Sequence, residues 1–168
     1  MTNASISAPK SWLAFDLNIL RRYTAASLAL PLLDDPALGL YMKRAGVRIA
    51  ANDPFRSNWA RSVAVLQNNS EKLTDENVNL VLEDAYVPGY KLQNPSLLNW
   101  FSETDSWWFD NVRRNIEKFT SPTANAIASS IAMAAGDYVR SFTEETRQLR
   151  QPLSNVFRRL WMVQPEPV

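Results

Sequence analysis

The chain has 168 residues, of which 46% are hydrophobic, and this is enough for a folded core in one domain of ordinary size. Cysteine and histidine are both absent, which excludes disulfides, Cys/His zinc sites, thiol nucleophiles and histidine-based catalysis. The formal net charge of +1 lacks the strongly basic balance that by itself indicates nucleic-acid binding.

The first elements are predicted from the spacing of apolar residues. Apolar positions at helical spacing after Pro9 predict a helix over residues 11–23. The short apolar run over residues 25–33, AASLALPLL, suits a buried strand, although its leucine and alanine content also fits a helix.

Two aspartate-proline pairs mark the next helices. Asp35 with Pro36 is typical of a helix start, and that helix is expected to end at Gly46. Residues 47–51 are then predicted to form a second strand, and Asp53 with Pro54 is predicted to start another helix. Because a helical crossover returns the chain parallel to its first strand, this order predicts a βαβ unit.

The rest of the chain is predicted to be helical. Helices are expected over residues 75–85, 97–101 and 105–119. A long helix is expected from Pro122 to Phe142, another begins at Thr143, and the last covers residues 156–161.

The fold class that follows is α/β and helix-dominated overall. A partial, degenerate Rossmann-like βαβ segment is expected over residues 1–70, a helical segment packed on it over residues 71–163, and a disordered tail over residues 164–168. Parallel sheets usually contain more than two strands. Further strands in the helical half, a second chain, or a missing C-terminal segment are therefore expected to complete the sheet.

The sequence gives no sign of a membrane partner. No stretch approaches the ~20 apolar residues that cross a bilayer, and the N-terminus has no charged region followed by a long apolar run. We therefore expect a cytoplasmic protein, and the lack of cysteine agrees with a reducing compartment.

Two segments carry a resemblance to a known family. They are YMKRAGVRIAANDPFRSNWARSVAVLQNN, residues 41–69, and NPSLLNWFSETDSWWFDNVRRNIEKF, residues 94–119. Both resemble the N-terminal region of D12-class (Dam-like) DNA adenine-N6 methyltransferases. The resemblance implies that a strand, a glycine-rich turn and a helix bind S-adenosylmethionine, and that an acidic residue after the second strand holds its ribose. It thereby implies cofactor-binding roles for Asp53, Asn52 and Asp34.

The sequence departs from this family at two motifs. The aligned turn, residues 32–36, reads LLDDP and offers no glycine through which the backbone could approach a ligand. The catalytic D/N-P-P-Y/F motif is absent, because no Pro-Pro pair occurs in the chain. The run Asn52–Phe55 imitates that motif only superficially, since it lies after the second strand.

Aromatic and basic residues of the second half are candidates for nucleic-acid contact. Trp107 and Trp108, in a cluster with Trp100, Phe101 and Phe109, could stack on bases or pack in a core. The candidate phosphate contacts are Arg113, Arg114 and Lys118, with Arg140, Arg147, Arg150, Arg158 and Arg159 as further basic positions. Neighbouring acidic residues make solvated helix faces the plainer interpretation.

Three functional hypotheses remain from the sequence. The first is the N-terminal part of an adenine-N6 methyltransferase-like protein, not catalytic on its own, with S-adenosylmethionine as cofactor and DNA as partner. The alternative is a non-catalytic DNA- or protein-binding module derived from such an enzyme. An unrelated helical enzyme using Asp or Glu is the third, and no convergent set of residues supports it. Asp53, Asp34 and Asp35 also have purely structural interpretations as turn and helix-cap residues.

Overall fold

The structure, a computed structural model, describes residues 10–89, 91–164 and 166–168. The chain divides into two compact units. Unit 1 contains the residues up to Ser70 together with Pro167–Val168, and unit 2 contains Glu71–Glu166.

Unit 1 alternates helices and short strands. Its elements are helix α1 (Lys10–Leu20), strand β1 (Ser27–Leu30), helix α2 (Ala37–Arg44), strand β2 (Arg48–Ala51) and helix α3 (Arg56–Ser62), which continues as a π-helical turn over Val63–Gln67. The order predicted from the sequence is confirmed, and both strands are shorter than predicted.

The two strands pair in parallel, as predicted. Ser27 lies opposite Arg48 and Leu30 lies opposite Ala51 in the register. At the two ends of the ladder the Arg48 N–H donates to the Ala26 carbonyl at 3.1 Å, and the Asn52 N–H donates to the Leu30 carbonyl at 3.0 Å. The described part of the chain contains no third strand, so the expectation of further strands in the helical half is wrong for those residues.

Local sequence signals explain the limits of α2. The Asp35 Oδ1 atom accepts a hydrogen bond of 2.9 Å from the Ala37 N–H, which satisfies one of the free donors at the helix start. Gly46 follows the helix with a φ of 81°, a left-handed conformation that glycine adopts without steric cost. The helix begins one residue later than predicted, with Pro36 as its N-cap, and it ends at Arg44, two residues before Gly46.

A glycine inside α2 allows the helix to lie close to its neighbours. Gly39 is buried, and a Cβ atom at this position would lie 3.0 Å from both Cδ atoms of Leu66 and 3.2 Å from Leu30 Cδ1. The side chains of Leu30 and Leu66 fill the space that a larger residue would need. Gly39 thus fixes the packing of α2 on β1 and on the π-helical turn.

Unit 2 contains helices, turns and loops, and no strand among its described residues. Its elements are helices α4 (Asp75–Leu82), α5 (Glu103–Ile116), α6 (Pro122–Arg140) and α7 (Leu153–Met162), with 3₁₀ turns over Pro95–Asn99 and Arg147–Leu149. Three helix starts carry polar caps in the sequence and the structure, at Thr74, Ser102 and Ser121.

Two predicted helices of unit 2 are corrected. The helix expected from Thr143 is a turn, because the Thr143 N–H donates to Thr146 Oγ1 at 2.9 Å and the Thr146 N–H donates to the Thr143 carbonyl at 3.2 Å. Hydroxyl side chains that bond nearby backbone compete with helix formation in this way. The helix expected over residues 97–101 is the 3₁₀ turn Pro95–Asn99, capped by the Asn94 side chain.

The core of unit 2 lies among its four helices. Trp108 and Phe157 are fully buried at its centre, and their ring centroids lie 6.3 Å apart. The other buried apolar residues of the four helices are Val78, Val81, Val112, Ile116, Ala124, Ala126, Ile127, Ala128, Ile131, Ala135, Leu153 and Val156. The start of α7 is held by the Tyr86 hydroxyl, which accepts from the Leu153 N–H at 3.1 Å, and burial raises the pKa of Tyr86.

Part of the tail expected to be disordered makes contacts. Gln164 Oε1 accepts a hydrogen bond of 2.8 Å from the Leu73 N–H, and Lys72 Nζ lies 2.7 Å from Glu166 Oε1. Pro165 lies outside the described residues.

Replacing the two helical glycines, Gly39 and Gly136, by alanine tests how closely α2 and α6 pack against their neighbours. We expect Gly136→Ala in α6 to raise the free energy of unfolding by about 1 kcal/mol, because alanine favours helices and its Cβ would meet the Phe101 and Phe109 rings at an ordinary 3.7 Å. Gly39→Ala should bring no such gain, since its Cβ requires Leu66 to move. Urea unfolding of both variants measures the difference, and an equal gain at both positions would contradict the close packing of α2.

Candidate functional site

A groove of about 470 Å³ lies in unit 1 at the carboxyl ends of β1 and β2. Its wall is formed by the strand ends on one side and by α3 with the π-helical turn on the other. The lining residues are Ala29, Leu30, Pro31, Ile49, Ala50, Ala51, Asn52, Trp59, Ser62, Val63, Leu66 and Gln67. In open α/β sheets, ligands bind outside the carboxyl ends of parallel strands.

Small and exposed side chains keep this groove open. Ala29, Ala50 and Ala51 are exposed, although parallel sheets are normally covered on both faces. Trp59 is 51% exposed at the wall. The π-helical turn beside it is a rare backbone form that occurs frequently at functional sites.

Asn52 and Asp53 follow β2 directly, and they differ in their relation to the groove. Asn52 lines the groove, and its N–H extends the ladder to the Leu30 carbonyl. Asp53 is half-buried, and its Oδ1 atom accepts a hydrogen bond of 2.8 Å from the Phe55 N–H ahead of α3. The carboxylate of Asp53 is not part of the groove wall.

Asp34 lies in the exposed turn after β1. Its Oδ1 atom accepts a hydrogen bond of 3.4 Å from the Asn58 side chain on α3. This contact brings the loop after β1 to the start of α3, but Asp34 does not line the groove. Of the three candidate cofactor residues, the structure places only Asn52 at the groove itself.

The turn over residues 32–36 does not suit close approach of its backbone to a bound cofactor. Leu33 is only 4% exposed, so its side chain is part of the core, and Pro36 has no N–H to donate. After β2, Asn52 offers a polar side chain at the groove and Asp53 lies next to it in the chain, outside the groove wall, while the turn after β1 offers bulky side chains. The residues present therefore fit S-adenosylmethionine at the ribose end alone.

Burial excludes one of the candidate nucleic-acid residues of unit 2. Trp108 is fully buried and its Nε1 donates to Ser154 Oγ at 3.0 Å, so it cannot stack on a base. Trp107 beside it is half-buried. Successive residues of a helix point about 100° apart, which separates the two indoles.

Each basic candidate of α5 and its C-terminal end is engaged with a nearby polar group. Arg113 pairs with Glu117 and donates to Gln93 Oε1 at 2.9 Å, and Arg114 donates to Asn111 Oδ1 at 2.9 Å. Lys118 Nζ lies 3.7 Å from Glu83 Oε2. These contacts agree with solvated, partly neutralised helix faces.

Gly39 and the environment of Trp100 lie outside the predictions made from the sequence. A glycine inside a helical pattern is a signal for close packing, so Gly39 could have been found. Trp100 lies in a groove with Arg140, Arg147 and Arg150, which are far from it along the chain. No local pattern relates these residues, because the packing of α5 and α6 brings them together.

Comparisons with protein-family models, with curated proteins and with solved structures gave no significant match to this chain. In the part of the chain that the structure describes, no helix is long and apolar enough to span a bilayer, and no group of three or more acidic side chains is placed to hold a metal ion.

A double-mutant cycle tests the structural role of Trp108. We expect Trp108→Phe and Ser154→Ala each to lower the free energy of unfolding, because each removes one partner of a buried hydrogen bond. The coupling energy between them should be about 1 kcal/mol, measured by urea unfolding of the two single variants and the double variant. Strictly additive effects would show that the indole N–H does not bond Ser154.

Proposed function

We propose that this chain is the N-terminal part of a DNA adenine-N6 methyltransferase-like protein, with a partial Rossmann-like βαβ unit, and that it does not catalyse methyl transfer on its own. The proposal includes S-adenosylmethionine as the ligand of unit 1, DNA as the macromolecular partner, and a cytoplasmic location. It rests on the resemblance of two sequence segments to that family and on the placement of Asn52 and Asp53.

The observation that carries the proposal is the position of these two residues in the fold. They follow the second of two parallel strands, at the edge where a groove of about 470 Å³ opens. The family places its ribose-binding carboxylate after this same strand. The Asp53 Oδ2 atom makes no hydrogen bond with the residues that the structure describes, so it retains acceptor capacity for ribose hydroxyls.

The open sheet supports an incomplete cofactor fold. Both strands are four residues long, and one face carries exposed Ser27, Ala29, Arg48 and Ala50. Unit 1 also carries exposed aromatic side chains outside its strands, including Phe15 on α1 at 56% and Phe55 before α3 at 67%. Unpaired strand edges readily accept another strand. We propose that further strands, from a second chain or from additional sequence of the same protein, pair with the open edges of this sheet.

The chemistry of methyl transfer is missing from this chain. S-adenosylmethionine would supply the methyl group when bound, and Asn52 with Asp53 would hold its ribose. The family accepts the adenine amino group on the first side chain of its D/N-P-P-Y/F motif, which this sequence lacks. The chain alone is therefore proposed to bind and not to react.

A specific observation favours the alternative of a non-catalytic binding module. The glycine-free turn places the Leu33 side chain in the core and Pro36 at the start of α2. This arrangement removes the close backbone approach that the cofactor needs beside β1. In this alternative the unit keeps the βαβ architecture and binds DNA or a protein without S-adenosylmethionine.

Calorimetry with S-adenosylmethionine and S-adenosylhomocysteine distinguishes the cofactor-binding proposal from the alternative of a binding module. We expect the full chain to bind both ligands weakly, with a Kd on the order of 0.1–1 mM, because only the ribose end is well matched. Asp53→Asn should weaken binding about tenfold, since asparagine can still accept from the Phe55 N–H but lacks the charge that strengthens a ribose hydrogen bond.

Asp35→Asn is the matched control for this experiment. Asp35 accepts from the N–H two residues ahead, as Asp53 does, so the same chemical change is made in an equivalent turn. The Asp35→Asn variant should bind both ligands with the same affinity as the unmodified chain. Absence of heat at millimolar ligand would reject the cofactor proposal in favour of the binding module. Equal weakening by both variants would reject the ribose role of Asp53.

A further inference from the structure

A second groove, of about 360 Å³, lies in unit 2 beside α5 and α6. Three arginines, Arg140, Arg147 and Arg150, line it together with Trp100. The acidic side chains at its wall are Asp105 and Glu144. A large aromatic surface and an excess of cationic groups therefore meet in one concave site.

Trp100 offers an accessible aromatic surface to this groove. It is 67% exposed, although a tryptophan of this size would gain from burial. The Arg140 guanidinium carbon lies 5.6 Å from the centroid of the indole ring, as in a cation–π contact. This contact holds the ring beside a positive charge while most of the indole stays open to solvent.

Arg150 anchors one wall of the groove. Its Nη1 and Nη2 atoms donate to Asp105 Oδ2 at 3.0 and 3.1 Å, and Ser102 Oγ donates to the same oxygen at 2.7 Å. Only 16% of the Arg150 side chain and 10% of the Asp105 side chain are exposed. The pair is therefore a fixed structural element of the groove wall, and its charges are largely balanced within it.

Arg147 is a more available cation than Arg150. Its Nη1 atom lies 3.5 Å from Glu144 Oε1, but the Glu144 side chain is 89% exposed. Ion pairs this exposed contribute little, so an incoming anion can compete for the Arg147 guanidinium at small cost. Arg140, which is exposed at the same groove, adds a second accessible charge.

We propose that this groove binds one nucleotide, with the base stacked on Trp100 and the phosphate paired with Arg140 and Arg147. Flat aromatic surfaces next to arginines are the combination that binds single-stranded nucleic acid, because every base has a face that stacks and every nucleotide has a phosphate. The inference rests on the proposed function in one respect, the choice of single-stranded DNA as the strand to test. It does not depend on S-adenosylmethionine binding in unit 1.

Fluorescence anisotropy of the full chain with a labelled single-stranded oligodeoxyadenylate tests the stacking contact. Trp100→Ala should weaken binding roughly tenfold, within the range that loss of one base stack produces. Trp100→Phe keeps an aromatic ring and should retain most of the affinity. Since Trp100 is exposed, both variants are expected to unfold at the same urea concentration as the unmodified chain.

Two arginine variants with the same change in net charge test the phosphate contact. Arg147→Gln should weaken binding several-fold and lower the slope of log affinity against log salt by about one. Arg44→Gln removes an equal charge from the exposed end of α2, outside the groove, and should leave both quantities unchanged. Equal losses of affinity in the two variants would overturn the proposed phosphate contact in the groove and would indicate diffuse electrostatic attraction instead.

Titration with deoxyadenosine monophosphate and with inorganic phosphate identifies the source of the nucleotide. Binding of the oligonucleotide much more tightly than the mononucleotide supports a strand as ligand, and comparable binding of the two supports a free nucleotide. Binding of phosphate as tight as that of the mononucleotide would overturn the stacking role of Trp100. Absence of binding to all three at millimolar concentration would overturn the proposal, whatever the calorimetry with S-adenosylmethionine shows.

Discussion

The parallel ladder between β1 and β2 is the constraint on which the architecture of unit 1 depends. The pairing from Ser27 with Arg48 to Leu30 with Ala51 requires the intervening chain to cross over one face, and α2 makes that crossing. Gly39 lets α2 lie close to Leu30. The same pairing places the loops after both strands at one edge, which creates the groove and locates Asn52 there.

The short ladder also leaves much of the sheet in unit 1 uncovered. Two four-residue strands leave one face and both outer edges uncovered among the described residues, whereas parallel sheets are usually covered on both faces. Unpaired strand edges readily accept another strand. The further strands that we propose would pair at these edges.

Local signals made most of the fold predictable, and tertiary packing limited the rest. The aspartate-proline pairs and Gly46 act within a few residues, so the sequence predicted the parallel order, and the limits of α2 to within one or two residues. The turn at Thr143 did not, because hydroxyl bonds to nearby backbone replaced the expected helix. The residues of the candidate sites also differ in how far local sequence predicts them. Asn52 follows directly from the end of β2, whereas the burial of Trp108 and the meeting of Trp100 with Arg140 depend on how distant helices pack.

Amide hydrogen exchange in β2, measured residue by residue by NMR, tests the parallel ladder most directly. In a parallel pair alternate N–H groups of a strand point to the partner, so the Arg48 and Asn52 amides should exchange slowly, while those of Ile49 and Ala51 should exchange faster. Uniform protection over residues 48–52, as in a helix, or rapid exchange at all of them, would contradict the βαβ architecture from which the proposed cofactor site follows.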